Sequence, residues 1–147
     1  MNVLHLQLSG GVGGIVILCR EINKISKLNN EFYFLFEGGC VADEIRESNA
    51  PVEIGNCSHK NFISSAKKVL KYCKDNEIDV VVNHSCSPIT RFIQIYIHQR
   101  LPKIKYIMYL HSNADEEINY SNPLKRFIAK SLCLKCHDVS KYSVAIS

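Results

Sequence analysis

Val3-Leu4-His5-Leu6-Gln7-Leu8 breaks directly into Ser9-Gly10-Gly11-Val12-Gly13-Gly14, and that loop runs into the amphipathic stretch Ile15 to Ile25. The order reads as strand, glycine loop, helix. A glycine loop at the C-terminal end of a strand lets backbone amides come close to a ligand. The helix that follows turns its positive N-terminus toward any phosphate or sugar oxygen held there. These first residues therefore point to an anion or sugar-nucleotide site. Two familiar loops do not fit. A P-loop ends in Gly-Lys-Ser/Thr, and no lysine lies between Met1 and Asn23. The dinucleotide fingerprint GxGxxG would take its first two glycines from Gly11 and Gly13, but Val16 stands at the third, and Glu37 comes late for a ribose acceptor. A plain tight turn packed on its own glycines is the alternative reading.

Strand-like runs recur outward from this unit, at Val3 to Leu8, Phe32 to Phe36, Val52 to Ile54, Ile78 to Asn83, Ile104 to His111 and Ser143 to Ile146. Helical patterns fill the gaps at Ile15 to Leu28, Val41 to Ser48, Phe62 to Lys74 and Ile89 to Leu101. A last helix opens with Asn122 as N-cap and Pro123 at the first helical position. Such alternation predicts an α/β fold, an open, doubly wound, mostly parallel and Rossmann-like sheet with helices on both faces. Val80-Val81-Val82 and Ile107-Met108-Tyr109-Leu110 are apolar at consecutive positions, so both are expected to be central strands buried on both faces; the short, half-polar Val52-Glu53-Ile54 suits an edge.

Open parallel sheets bind ligands at the C-terminal ends of their strands. That rule singles out Ser9 to Gly14, Asn83 to Ser87, and His111-Ser112-Asn113. His111 ends the most apolar strand in the chain and is the leading candidate for a histidine that contacts substrate; a capping or buried structural histidine is the alternative. His84 stands in the analogous place on the preceding strand, among polar neighbours. The polar stretch Ser112 to Ser121 reads as a lid or a surface excursion.

Length and composition narrow the field further. A chain of 147 residues is expected to be one domain, large enough to bury a core without staples. The seven cysteines are scattered through apolar runs, and no charged segment precedes an apolar leader, so a reduced, cytoplasmic protein is expected. The net charge of +4 is too mild to argue for nucleic acid, and no aromatic residues interleave a basic stripe. Beyond Arg91, however, Lys and Arg outnumber Asp and Glu, which suits a solvated helix face or a surface meeting anionic lipid or phosphate. Cys133-Leu134-Lys135-Cys136-His137 has the spacing of covalent haem attachment but lacks the export signal that goes with it, and helical spacing makes the two cysteines core or boundary residues. His84, Cys86 and a distant His111 make a poor zinc set beside the tight ligand pairs of structural sites. No GxSxG elbow is present.

Taken in order, Met1-Asn2-Val3-Leu4-His5 leading into Gly10-Gly11-Val12-Gly13-Gly14, then Asp79 to His84, then Ile107 to His111, then His137-Asp138 and Ser143 to Ser147, resemble successive landmarks of the N-terminal domain of family 4 retaining glycosyltransferases of GT-B fold. The resemblance spans almost the whole chain. It implies the acceptor-binding half of an enzyme that moves a sugar from a nucleotide-sugar to a saccharide or lipid-linked acceptor, in polysaccharide or glycolipid synthesis, in the cytoplasm or at the cytoplasmic membrane face. It also implies that residues 1–147 form one acceptor-side domain and that a second, donor-binding domain completes the enzyme. The paired-glutamate signature of that second half has no counterpart here. Carried onto this chain, the resemblance makes His111 the catalytic histidine facing the transferred sugar and puts Gly13 and Gly14 at the interdomain cleft; with the strand-end rule, Gly11, Gly13, Gly14, His84, Ser112 and Asn113 are the expected substrate-binding residues. No cofactor and no metal is expected. The isolated chain is expected to fold without turning over sugar nucleotides and to expose an apolar cleft edge. Ile15-Val16 after the double glycine and Ser112 after His111 depart from the family pattern and bear on the choice of acceptor. A stand-alone, non-catalytic module for a nucleotide-sugar or a partner protein is the alternative.

Overall fold

A computed structural model describes residues 1–58, 60–110 and 120–145. The chain alternates strand and helix: β1 (Asn2–Ser9), α1 (Gly14–Ile25), β2 (Asn29–Glu37), α2 (Cys40–Glu47), β3 (Val52–Ile54), α3 (Phe62–Asp75), β4 (Val80–Asn83), α4 (Pro88–His98), β5 (Lys105–Leu110), α5 (Pro123–Val139) and β6 (Tyr142–Ala145). All strand pairs are parallel and the order is β3-β2-β1-β4-β5-β6. The open, doubly wound sheet expected from the alternation is therefore the observed fold.

The two faces follow from the period-two alternation of strand side chains. On one face Leu4, Leu6, Tyr33, Leu35, Val81 and Tyr106 pack against Ala66, Val69 and Cys73 of α3 and Ile89, Ile93 and Ile97 of α4. On the other, Phe32 and Phe34 pack against Val16 and Cys19 of α1 and Val41, Ala42 and Ile45 of α2. β4 is buried at every position, as its unbroken apolar run predicts. β5 departs from that expectation, since Ile107, Tyr109 and Leu110 are only half-buried. α1 and α2 pack over β1 and β2, leaving Ile107 and Tyr109 at the margin of a small cluster with Val3, Val80 and Val82.

Helix starts obey the local signals. The Asn122 Oδ1 accepts from the amides of Leu124 and Lys125 at 2.9 and 3.1 Å, with Pro123 at the first helical position. The Asn61 side chain caps α3 through the Ser64 amide. α1 has no such cap: Gly13 precedes it and no acidic residue lies in its first turn. The strand order reverses direction between β1 and β4, and the crevice at that switch point is where a parallel sheet holds ligands.

Candidate functional site

The loop between β1 and α1 divides its glycines between two tasks. A Cβ on Gly10 would lie 2.5 Å from the Ala42 Cβ, and one on Gly39 would lie 2.7 Å from the Gly11 nitrogen. These two glycines let the loop nest against the start of α2, where the Ala42 amide also donates to the Gly10 carbonyl at 3.1 Å. Gly11, Gly13 and Gly14 are different. A Cβ on any of them would meet nothing within 4 Å, and none has a positive φ; Gly13 is extended at −174°. Neither backbone conformation nor packing demands glycine at these three positions. What their missing side chains leave is room.

That room is a crevice of about 270 Å³ between the ends of β1 and β4. Gln7, Ser9, Gly11 to Val16, His84 and Ser85 are among its walls. None of the lining side chains carries a fixed charge. The polar groups on offer are backbone amides at the uncapped start of α1, a serine hydroxyl from each strand end and an amide side chain. Such a lining offers hydrogen bonds to hydroxyl groups and, through the α1 amides, to an anionic oxygen, but no side-chain cation to reinforce a diphosphate. Larger hollows of about 480 and 440 Å³ lie beside Ile78 and Ile104, and beside Asn2 and Asn29, at the opposite ends of the strands.

Beneath the crevice runs a buried polar assembly. Four rings, one from each of four neighbouring chain segments, stack in series: Phe32, His5, His84 and Tyr109, with centroids 4.8, 5.2 and 4.8 Å apart. His5 Nδ1 lies 2.9 Å from His84 Nε2, and His5 Nε2 lies 3.2 Å from Asn30 Oδ1. Because the Asn30 oxygen can only accept, His5 holds its proton on Nε2. Its Nδ1 then accepts from His84 Nε2–H. Burial pushes the His5 pKa down from 6.5 to about 4, against the smaller opposing effect of the Asn30 bond. His5 is thus neutral at physiological pH, which leaves its Nδ1 free to accept from His84.

The strand end that carries His84 is itself tied down. Asn83 Oδ1 accepts from the Ser85 amide at 3.1 Å, and Asn83 Nδ2 donates to Gln94 Oε1 at 3.1 Å. Gln94 Nε2 in turn donates to Ser140 Oγ at 2.7 Å, and Thr90 Oγ1 donates to the Ser85 carbonyl at 2.7 Å. β4, α4 and α5 are joined by these bonds, with Asn83, Thr90 and Gln94 fully buried.

His5 Nδ1, His84 Nε2 and Cys19 Sγ come within 4.8 Å of one another and are the donors a metal could recruit among the described residues. The two histidine nitrogens already bond each other. Cys19 Sγ accepts from Gln7 Nε2 at 3.1 Å, and burial pushes its thiol up to about 12. Structural zinc takes four ligands and thiolate sulfur. This set offers three, one of them a thiol held protonated, so it acts as a hydrogen-bonded support under the crevice.

The structure gathers Gly11, Gly13, Gly14 and His84 at one crevice, with His84 itself fully buried at its floor. His111, Ser112 and Asn113 lie outside the described residues, as does most of the polar stretch that follows them. Val12 forms an exposed apolar rim at 79% exposure. Cys136 is buried against Met108, whereas Cys133 is half-buried. All seven cysteines are free thiols. Sequence reasoning did not single out His5, Asn30, Cys19 or Gln94. The signal for His5 and Gln7 was there, since polar residues at alternate positions of a strand buried on both faces must find partners inside.

No protein-family model and no curated protein matches the sequence. Among solved structures, the crystal structure of a "Putative transcriptional regulator" from Clostridium difficile 630 matches with a TM-score of 0.40 and 9% identity, over 100% of this chain and 49% of that one. The chain thus spans about half the length of that structure.

Proposed function

We propose that this chain is the acceptor-side domain of a glycosyltransferase, whose crevice between β1 and β4 holds a sugar during transfer from a nucleotide-sugar to a saccharide or lipid-linked acceptor. The observation that carries the reading is the set of three glycines, Gly11, Gly13 and Gly14, that neither conformation nor packing requires and that border the crevice at the switch point. At Gly14, the first residue of α1, a fold selected for stability alone would take alanine, and at the Gly13 N-cap it would take a capping Ser, Thr, Asn or Asp. Close approach of a ligand to the backbone accounts for glycine instead. The uncharged lining adds a second support: it offers hydrogen bonds for hydroxyl groups and no cation for a diphosphate, so a separate donor-binding half would supply the diphosphate contacts.

In this reading the amides at the start of α1 stabilise negative charge that develops on the transferring group, and the buried His5–His84 pair keeps the β4 end rigid behind them. The family resemblance makes His111 the catalytic histidine of this reading, with Ser112 and Asn113 among its substrate-binding residues. In an enzyme carrying both halves, His111→Ala is expected to lower turnover by about 10²-fold while the fold stays intact. Full turnover in that variant would remove His111 from the mechanism.

The binding test uses the 147-residue chain and calorimetric titration with a panel of nucleotide-sugars and oligosaccharides. Weak binding of a saccharide, abolished by Gly13→Val with an unchanged melting temperature, is the expected result. Tight nucleotide-sugar binding by this chain alone would favour the non-catalytic module, and binding unaffected by Gly13→Val would place the site elsewhere.

A further inference from the structure

α5 is two-faced in an unusual way. Its inward side is narrow: Ala129 and Cys136 are its buried residues, with Cys136 Sγ 3.6 Å from Met108 Sδ. At 100° per residue, Leu124, Phe127 and Leu134 fall on the side of the helix away from Ala129 and Cys136, with Ile128 on its flank, and they are 66, 68, 59 and 48% exposed. An apolar stripe spaced i, i+3, i+4 is normally what a helix buries in its own core. Here it faces outward. From Asn122 to His137 the chain contains no Asp or Glu, yet it carries Lys125, Arg126, Lys130 and Lys135. Lys125, Lys130 and Lys135 make no ion pair among the described residues.

We infer that α5 is a docking face for an anionic lipid bilayer, with Leu124, Phe127, Ile128 and Leu134 seated among the acyl chains and the flanking lysines on lipid phosphates. Charge complementarity selects this occupant. A helix with four Lys or Arg against the single acid Asp138 near its end, and with a phenylalanine and leucines on its free face, has the composition of a helix lying in the plane of a membrane interface. No helix among the described residues is long and apolar enough to cross a membrane, so the contact is peripheral. The topology also sets its orientation. Helices between parallel strands run antiparallel to them, so the start of α5, with Leu124, Phe127 and Ile128, lies toward the sheet end that bears the crevice. A lipid-seated α5 would bring that end of the domain to the membrane. The inference stands on α5 alone and does not depend on what the crevice binds.

The test is co-sedimentation of the chain with vesicles of phosphatidylcholine alone and of phosphatidylcholine with about a third phosphatidylglycerol. Binding to the anionic vesicles only, weakened in high salt, is expected. Leu124→Glu with Phe127→Glu, and separately Lys130→Glu with Lys135→Glu, should each weaken binding at least about tenfold. Circular dichroism should show both variants folded, since all four residues are on the surface. Equal binding to both vesicle types, binding to neither, or binding unchanged in both variants would overturn the inference. So would dimerisation abolished by Phe127→Glu without vesicle binding, which would assign the stripe to a second copy of the chain.

Discussion

His5 shows how one side chain couples burial to pH. Its pKa falls from 6.5 to about 4 because burial disfavours the imidazolium, so the unfolded chain binds a proton there more readily than the folded one. The sign follows directly: the contribution is intact above pH 6.5 and is lost as pH falls from 6.5 toward 4, up to about 3 kcal/mol. Denaturant midpoints measured between pH 7 and 5 should therefore fall with acid, and more shallowly in His5→Gln, which has no imidazole to protonate. Equal slopes in the two proteins would remove His5 as the titrating group. The glycines supply a second contrast at this scale. Gly10→Ala drives a Cβ to 2.5 Å from that of Ala42 and should cost about 1–3 kcal/mol in chemical denaturation. Gly14→Ala meets open space and should change stability by no more than about 1 kcal/mol, in the stabilising direction. Reversal of that order would mean the loop is built for packing throughout.

Among the elements, the end of β4 is the best-braced part of the rim. Gln94 bridges buried Asn83 on β4 and half-buried Ser140 after α5, so Gln94→Ala strands the buried Asn83 side-chain amide, whereas the Ser140 hydroxyl keeps its bond to the Cys136 carbonyl. A loss of about 1–3 kcal/mol in denaturant unfolding is expected; a loss under about 0.5 kcal/mol would mean that the tie contributes nothing net. Most elements were legible in the sequence. Asn122-Pro123 marked the start of α5, Val52-Glu53-Ile54 an edge strand, and Val80 to Val82 a strand buried on both faces, because caps and apolar runs are local signals. β5 was misjudged on one face, since which helix covers a strand depends on crossovers that periodicity does not encode. Gln94 reads as a flaw in the apolar run of α4 until Asn83 and Ser140 are seen beside it. Their partners are 11 and 46 residues distant in sequence.

At the scale of the molecule, a six-stranded parallel sheet places one open crevice where its strand order reverses, and the first glycine loop of the chain borders it. The site was legible in part for the same reason the fold was. Strand, loop and helix are contiguous in sequence, so Gly11, Gly13 and Gly14 could be placed on the rim directly. The floor could not, because His5, Asn30 and His84 meet only when β1, β2 and β4 pair.

Amide chemical-shift mapping of the isotopically labelled chain, titrated with saccharides and nucleotide-sugars, tests the central claim most directly. The account expects shifts concentrated on the amides of Gly11 to Val16 and Ser85, saturating at millimolar saccharide, and absent in Gly13→Val. Saturating shifts confined to residues remote from the β1 and β4 ends, or none with any sugar, would contradict it.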